Sequence, residues 1–185
     1  MRQCGDCQLC CKLLPVRSLD KVAGQKCKHQ SHAKGCAVYA RLAMVSPECR
    51  LWSCRWLVED DTADLRRPDR SHYVLDIMPD FVTLRNDETG VLEHVQVVQI
   101  WCDPRYPDAH RDPALRAYLE RRAGERIIGL VRYDNERGFA IFPPSLSKGG
   151  EWIERGSSAV RTKNHSPEEL LRALGAPNSP LPGQI

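Results

Sequence analysis

Eight of the nine cysteines lie between residues 4 and 54, and only Cys102 lies outside this segment. The chain begins MRQCGDCQLCCKLL, so four of the eight fall within its first eleven residues. A reduced cysteine is usually a small buried hydrophobic side chain. This segment has few large apolar residues among which eight thiols could be buried. The cysteines therefore constrain the fold of the first third of the chain more than any other feature.

The spacing of these cysteines is typical of metal ligands. Cys4 and Cys7 form one C-x2-C pair, which overlaps a second pair formed by Cys7 and Cys10. A tight turn of this length can present two thiolates to one metal ion. We therefore expect eight metal ligands: Cys4, Cys7, Cys10, Cys11, Cys27, Cys36, Cys49 and Cys54.

The adjacent pair Cys10 and Cys11 limits how the ligands can be divided. Side chains of neighbouring residues diverge, and a shared tetrahedral metal would close a strained ring. Either the two cysteines serve different centres or only one of them is a ligand. The sequence leaves many ways of dividing the eight. His29 and His32 could replace a cysteine, although their Lys-rich surroundings favour two solvated histidines.

The chain has no apolar run near the roughly 20 residues of a membrane span. Its N-terminal segment also lacks the apolar stretch of a secretory signal, because LLPV is soon followed by Arg17 and Asp20. We therefore expect a cytoplasmic protein without a membrane partner. In a reducing compartment, clustered cysteines are metal ligands or redox thiols more often than disulfides.

Residues 1–56 carry ten Lys and Arg against three Asp and Glu, a net charge of +7. Eight thiolates with two divalent metals would offset much of this charge, and nearby cations lower the pKa of thiols. The basic charge is thus explained by the metal centres, which argues against a nucleic-acid partner. Neither a protein partner nor a substrate can be identified from the sequence.

Composition and periodicity divide the chain into a cysteine-rich module, a polar connector, a larger α+β domain with helix and strand patterns, and a frayed tail. These parts are residues 1–56, 57–71, 72–176 and 177–185. In the larger part, HYVLDIM, FVTLR and VLEHVQVVQIW read as strands, and IIGLVRY with FAIFPP reads as a hairpin. One helix is predicted to start after Asp112 and end at Gly124, and another to start after Ser166 and end at Gly175. We expect an α+β fold: a small metal-bound module on a mainly antiparallel sheet with two or more helices.

The segments CGDCQLCC, GCAVYARL and PECRLWSC together resemble the YkgJ-type cysteine-cluster family, described as zinc- or iron-chelating proteins. All eight clustered cysteines match that pattern, with Tyr39, Pro47, Arg50 and Trp52 as framework residues. One residue, instead of the expected two, separates Pro47 from Cys49. A related cysteine pattern occurs in flagellin lysine N-methylases, which favours iron–sulfur. The resemblance covers roughly residues 4–54 and implies metal binding.

Two functions are compatible with these features. The first is a metal-handling or interaction module with closed zinc sites, and the second is a redox or modifying enzyme with an iron–sulfur cluster. In either case the metal would stabilise the module, which has little apolar material of its own. Trp52 and Trp56 flank Cys54 and are expected to exclude water from the metal site. Cys102 could be a nucleophile with His94 or His110 as base, but a buried thiol at a strand end is commoner.

Overall fold

A computed structural model describes residues 2–31, 35–86 and 89–156 of the chain. The predicted helix between Ser166 and Gly175, the tail 177–185 and His32 lie outside these ranges. Within the described ranges, no helix has both the length and the apolar character that crossing a membrane requires.

The helices are short, with one exception. They are α1 Leu9–Leu13, α2 Leu42–Val45, α3 Pro47–Leu51, α4 Arg55–Val58, α5 Pro68–Ser71 and α6 Pro113–Ala123. The strands are β1 Gln30–Ser31, β2 Gly35–Cys36, β3 Tyr73–Leu75, β4 Asp80–Arg85, β5 Leu92–Cys102, β6 Ile128–Arg132, β7 Gly138–Phe142 and β8 Ile153–Gly156. Single 3-10 turns are formed by Arg17–Leu19, Tyr39–Arg41, Asp60–Thr62, Pro107–Arg111 and Pro144–Leu146.

The main sheet is built around the long strand β5. Strands β3 and β4 pair with successive parts of one edge of β5, and β6, β7 and β8 follow on the other side. Every pairing in this sheet is antiparallel except that of β5 with β6. The α+β fold with a mainly antiparallel sheet is therefore confirmed. The parallel pair arises because α6 connects β5 to β6 by a crossover.

The predicted helix after Asp112 is confirmed as α6, and the Asp112 side chain accepts from the backbone N–H of Ala114. Leu115, Tyr118 and Leu119 of α6 are fully buried against one face of the sheet. Gly129 of β6 allows this close packing. A Cβ atom built there would lie 2.4 Å from a side-chain carbon of Ile141.

The opposite face of the sheet packs against the cysteine-rich part. Val74 of β3 and Trp101 of β5 belong to the same apolar cluster as Leu9, Leu13 and Leu14. This cluster spans residues from both parts that the sequence predicted as separate domains. The predicted connector 57–71 also contributes to the core, because Leu65 packs into the cluster on the α6 face.

Candidate metal centre

Turns and single helical turns build the cysteine-rich part, which explains why no helical or strand period is visible there. Gly5 has a positive φ of 57°, and the backbone N–H of Cys7 donates to the carbonyl oxygen of Cys4. This turn brings Cys4 and Cys7 to the start of α1, which carries Cys10 and Cys11. A two-residue hairpin, β1 with β2, aligns Gln30 with Cys36. The local fold thus places four cysteines that are close in sequence on one turn and the helix that follows it.

The eight cysteines fall into two groups according to which thiols act on one another. The first thiol group consists of Cys4, Cys7, Cys10 and Cys54. Cys4 and Cys7 share a side-chain hydrogen bond. Negative charge on Cys54 favours a higher pKa for both Cys4 and Cys10. Cys7 lies in the apolar cluster with Trp101, and the other three cysteines pack against that cluster. Burial raises the pKa of Cys54 to about 11.

The second thiol group consists of Cys11, Cys27, Cys36 and Cys49. Negative charge on Cys11 and Cys27 favours a higher pKa for Cys36 and for Cys49. The backbone N–H of Cys27 donates to the carbonyl oxygen of Cys11 at 3.0 Å. Burial raises the pKa of Cys49 to about 11. Metal binding at such protonated thiols would release protons.

The two groups meet at the adjacent pair on α1. A hydrogen bond between the two side chains raises the pKa of Cys10 and lowers that of Cys11 to about 7. Charge on Cys11 also acts on Cys4 across the boundary. Cys10 nevertheless has its other thiol neighbours in the first group, whereas Cys11 has them in the second. That the two adjacent cysteines serve different metal centres, or that only one of them is a ligand, stays a prediction.

Backbone N–H groups point at several of the sulfurs. The N–H of His29 donates to the sulfur of Cys27 at 3.4 Å. Similar hydrogen bonds join Leu9 to Cys7, Val38 to Cys36 and Leu57 to Cys54. Three of the four donors lie two residues after the cysteine. Such hydrogen bonds stabilise thiolate sulfur and are a property that tunes thiolate-bound metal centres.

Lys21 is buried beside the second thiol group, with 5% of its surface exposed. Its ammonium donates to the carbonyl oxygen of Leu14, and charge on Cys27, Cys11 and, to a smaller degree, Cys10 and Cys49 acts on Lys21. Among the described residues it forms no ion pair with a carboxylate. Burial lowers the pKa of Lys21, and the neighbouring thiols are the groups that oppose this effect. A buried ammonium needs a negative partner, and ionised thiols are the candidates.

No group of three or more His, Cys, Asp or Glu side chains that could hold a metal ion occurs within the ranges described. The donor chemistry nevertheless fits a thiophilic metal. All nine cysteines are free thiols, eight of them fall into the two groups, and buried Lys21 adjoins one group. Four thiolates suit zinc and iron–sulfur clusters equally.

The remaining candidates have other roles in the structure. Cys102 is fully buried in the α6-face cluster, and burial raises its pKa to about 12. Both ring nitrogens of His110 are engaged, one with Pro107 and the other with Glu154, and the ring of His94 bonds Thr83. His94 also lies on the same strand as Cys102, roughly 25 Å away along β5, so neither histidine is placed to act as a base for Cys102.

The two tryptophans that flank Cys54 differ. Trp52 packs against the apolar cluster of the first thiol group, and its indole N–H donates to Asp76 at 2.7 Å. Trp56 packs against the α6-face cluster instead and donates to the carbonyl oxygen of Leu65. Of the two, Trp52 alone is placed to shield thiols. The framework residue Tyr39 is 71% exposed.

A groove of about 650 Å³ lies where α1 meets the end of β5. Lys12, which follows Cys11 directly, forms an ion pair at 2.6 Å with Asp103, and Arg105 pairs with the same carboxylate. His72 and Tyr106 stack along the groove with ring centroids 3.6 Å apart. The groove gives a solvent-accessible surface next to the helix that carries Cys10 and Cys11.

Sequence reasoning missed Lys21 and the groove. Lys21 is one of several lysines in a basic segment, so its burial has no signal in the sequence.

Comparisons with family models, curated proteins and solved structures find no match to this chain. The YkgJ-type resemblance therefore rests on the cysteines and framework residues of this sequence alone.

Proposed function

We propose that this chain is a metal-binding protein in which each thiol group holds one thiophilic metal centre, either zinc or an iron–sulfur cluster. Its cysteine-rich part then acts as a metal-handling or interaction module of the YkgJ type. The observation that carries the proposal is the clustering of eight free cysteines within residues 4–54, with the C-x2-C spacing that metal ligands use. Lys21 supports it, because two divalent metals bound by eight thiolates leave negative charge that a buried cation offsets.

The second candidate is a redox or modifying enzyme that uses an iron–sulfur cluster. The observation that favours it is the groove beside α1, which could admit a small polar substrate near the thiols. The two candidates differ in colour, since zinc bound by thiolates is colourless and iron–sulfur clusters absorb visible light. A visible spectrum of anaerobically purified protein therefore separates them.

The ligand assignment is tested by serine substitution, because a hydroxyl is a far poorer ligand for soft metals than a thiolate. Cys10→Ser and Cys11→Ser should each lose a different one of the two centres, and the double variant should lose both. Metal content per folded chain is the measurement. Cys102→Ser is the control and should keep both centres, at a cost of about 1–3 kcal/mol in stability for a buried hydroxyl. Loss of metal in Cys102→Ser, with full metal content in Cys10→Ser and Cys11→Ser, would refute the assignment.

A further inference from the structure

Arg132 is a buried cation on the face of the sheet that packs against the cysteine-rich part. It ends β6, and only 1% of its surface is exposed. Its guanidinium carbon lies 4.9 Å from the centroid of the Trp101 ring. Its Nη1 atom donates to Oε1 of Gln99 at 3.0 Å. One side of the guanidinium is thus fixed by two neighbours from β5.

The other edge of this guanidinium has no partner among the residues that the structure describes. The Nε and Nη2 atoms of Arg132 are buried there without a hydrogen bond, and so is the indole Nε1 of the adjacent Trp101. Within the described ranges, no carboxylate lies at ion-pair distance from Arg132. An arginine stays protonated at neutral pH even when buried, and an unpaired buried charge is costly. A negatively charged acceptor would satisfy these three donors and offset the buried positive charge.

The free edge of Arg132 is the edge that other arginines of this chain use to bind carboxylates. Arg67 donates through Nε and Nη2 to the two oxygens of Asp69, at 2.6 and 2.7 Å. Arg105 binds Asp103 through the same two atoms, at 3.4 and 3.1 Å. This two-pronged geometry matches the spacing of the two oxygens of a carboxylate.

Nearby carboxylates act on Arg132 from a distance but are engaged elsewhere. Asp76 accepts from the indole of Trp52 and from the backbone N–H of Met78. Asp134 binds the side chain of Arg137 at 2.7 Å. Asp80, the carboxylate whose charge acts most strongly on Arg132, accepts from the backbone N–H of Phe81 at 2.8 Å. Within the described ranges, none of these three acids forms a hydrogen bond with Nε or Nη2 of Arg132.

We propose that Arg132 and Trp101 form a binding site for the carboxylate group of a small organic ligand. The two carboxylate oxygens accept from Nε and Nη2 of Arg132, and one of them also accepts from the indole N–H of Trp101. Gly138, the register partner of Arg132 on β7, adds no side chain of its own next to Arg132.

A planar, singly charged acceptor suits this site better than phosphate, because the guanidinium is enclosed and a second negative charge would add to the desolvation cost. Through Trp101 the site adjoins the apolar cluster of the first thiol group. The inference goes beyond the metal-binding proposal, since it depends on Arg132 and Trp101 and not on metal occupancy.

The test is a titration of the ¹⁵N-labelled full chain with sodium formate, followed by the NMR signals of side-chain N–H groups. The signals of Arg132 Nε and Trp101 Nε1 should shift saturably, whereas sodium chloride at equal ionic strength should not move them. The indoles of Trp52 and Trp56 already donate to protein oxygens and should stay in place. Signals are assigned from Arg132→Lys and Trp101→Phe.

Arg132→Lys keeps the charge but loses the two-pronged edge, so formate affinity should fall about tenfold or more. Trp101→Phe keeps an aromatic ring but removes the indole N–H, so it should also weaken formate binding. This variant tests the proposal if Arg132→Lys does not fold. Arg105→Lys is the matched control and should leave formate binding unchanged. Absence of a saturable shift, an equal shift with chloride, a shift that persists in Arg132→Lys, or saturation by phosphate but not by formate would each overturn the proposal.

Discussion

Lys21 is a buried cation beside the second thiol group. Its ammonium donates to backbone carbonyl oxygens of the first part of the chain, and charge on Cys27 and Cys11 acts on it most strongly among the thiols. A lysine at this depth would be unfavourable beside neutral thiols alone. Beside a centre of metal and thiolates, the same charge is stabilising.

We therefore expect Lys21→Met to weaken metal binding by the second thiol group about tenfold or more, because one buried charge interaction of roughly 1–2 kcal/mol is removed. Competition with a chromogenic chelator measures the affinity of each centre. Lys26→Met is the matched control, because Lys26 is exposed in the same loop. The Lys26→Met protein should bind metal with the affinity of the wild type. Unchanged affinity of both centres in Lys21→Met would show that this ammonium does not serve them.

At the scale of secondary structure, long periodic segments were predictable and short ones were not. The capping Asp112 and the apolar face of α6 were visible in the sequence, as were β5 and the β6–β7 hairpin. The parallel pairing of β5 with β6 was not predicted, because it depends on the path of the chain through α6. The single-turn helices that hold the cysteines are too short to have a period.

The contact between α6 and the sheet depends on Gly129, which gives a prediction for stability. In Gly129→Ala the new methyl group would lie 2.4 Å from Ile141, 3.0 Å from Ile100 and 3.2 Å from Leu119. Overpacking of this kind should lower the free energy of unfolding by about 1–3 kcal/mol in urea denaturation. Gly149→Ala, where a Cβ meets nothing within 4 Å, is the control and should be nearly neutral. Equal stability of the two variants would contradict the packing described here.

The ion pair of Lys12 with Asp103 joins α1 to the end of β5. Against the effect of burial, hydrogen bonds from Arg105 and Lys12 lower the pKa of Asp103 to about 2. An unfolded aspartate has a pKa of about 3.9, so the ionised carboxylate stabilises the fold above about pH 4. This contribution is lost as the pH falls through about 2.

Asp103→Asn should therefore be less stable than the wild type at neutral pH, and the difference should shrink between about pH 4 and about pH 2. Unfolding followed by circular dichroism over this pH range measures the effect. Asp60→Asn, at an exposed carboxylate, should show no such convergence. A stability difference for Asp103→Asn that does not depend on pH would mean that the carboxylate acts through packing alone.

At the scale of the whole molecule, the cysteine-rich part and the sheet share one apolar cluster. Cys54 also forms a backbone bridge with Asp76, and the Arg55 side chain donates to the Asp76 carbonyl oxygen at 2.7 Å. The return of the chain to β3 is what brings Cys54 beside Cys4 and Cys7. The C-x2-C spacing predicts metal ligands among the first cysteines, but the position of Cys54 relative to them depends on this tertiary contact and could not be predicted.

The central claim is that the two thiol groups each hold a metal centre. Elemental analysis of the full chain, purified anaerobically and without chelator, tests it most directly. The claim predicts two zinc ions per chain, or iron and sulfide in the proportions of two clusters with a brown colour. Protein that contains neither zinc nor iron would contradict the metal-binding proposal, and a single mononuclear metal per chain would contradict the division into two centres.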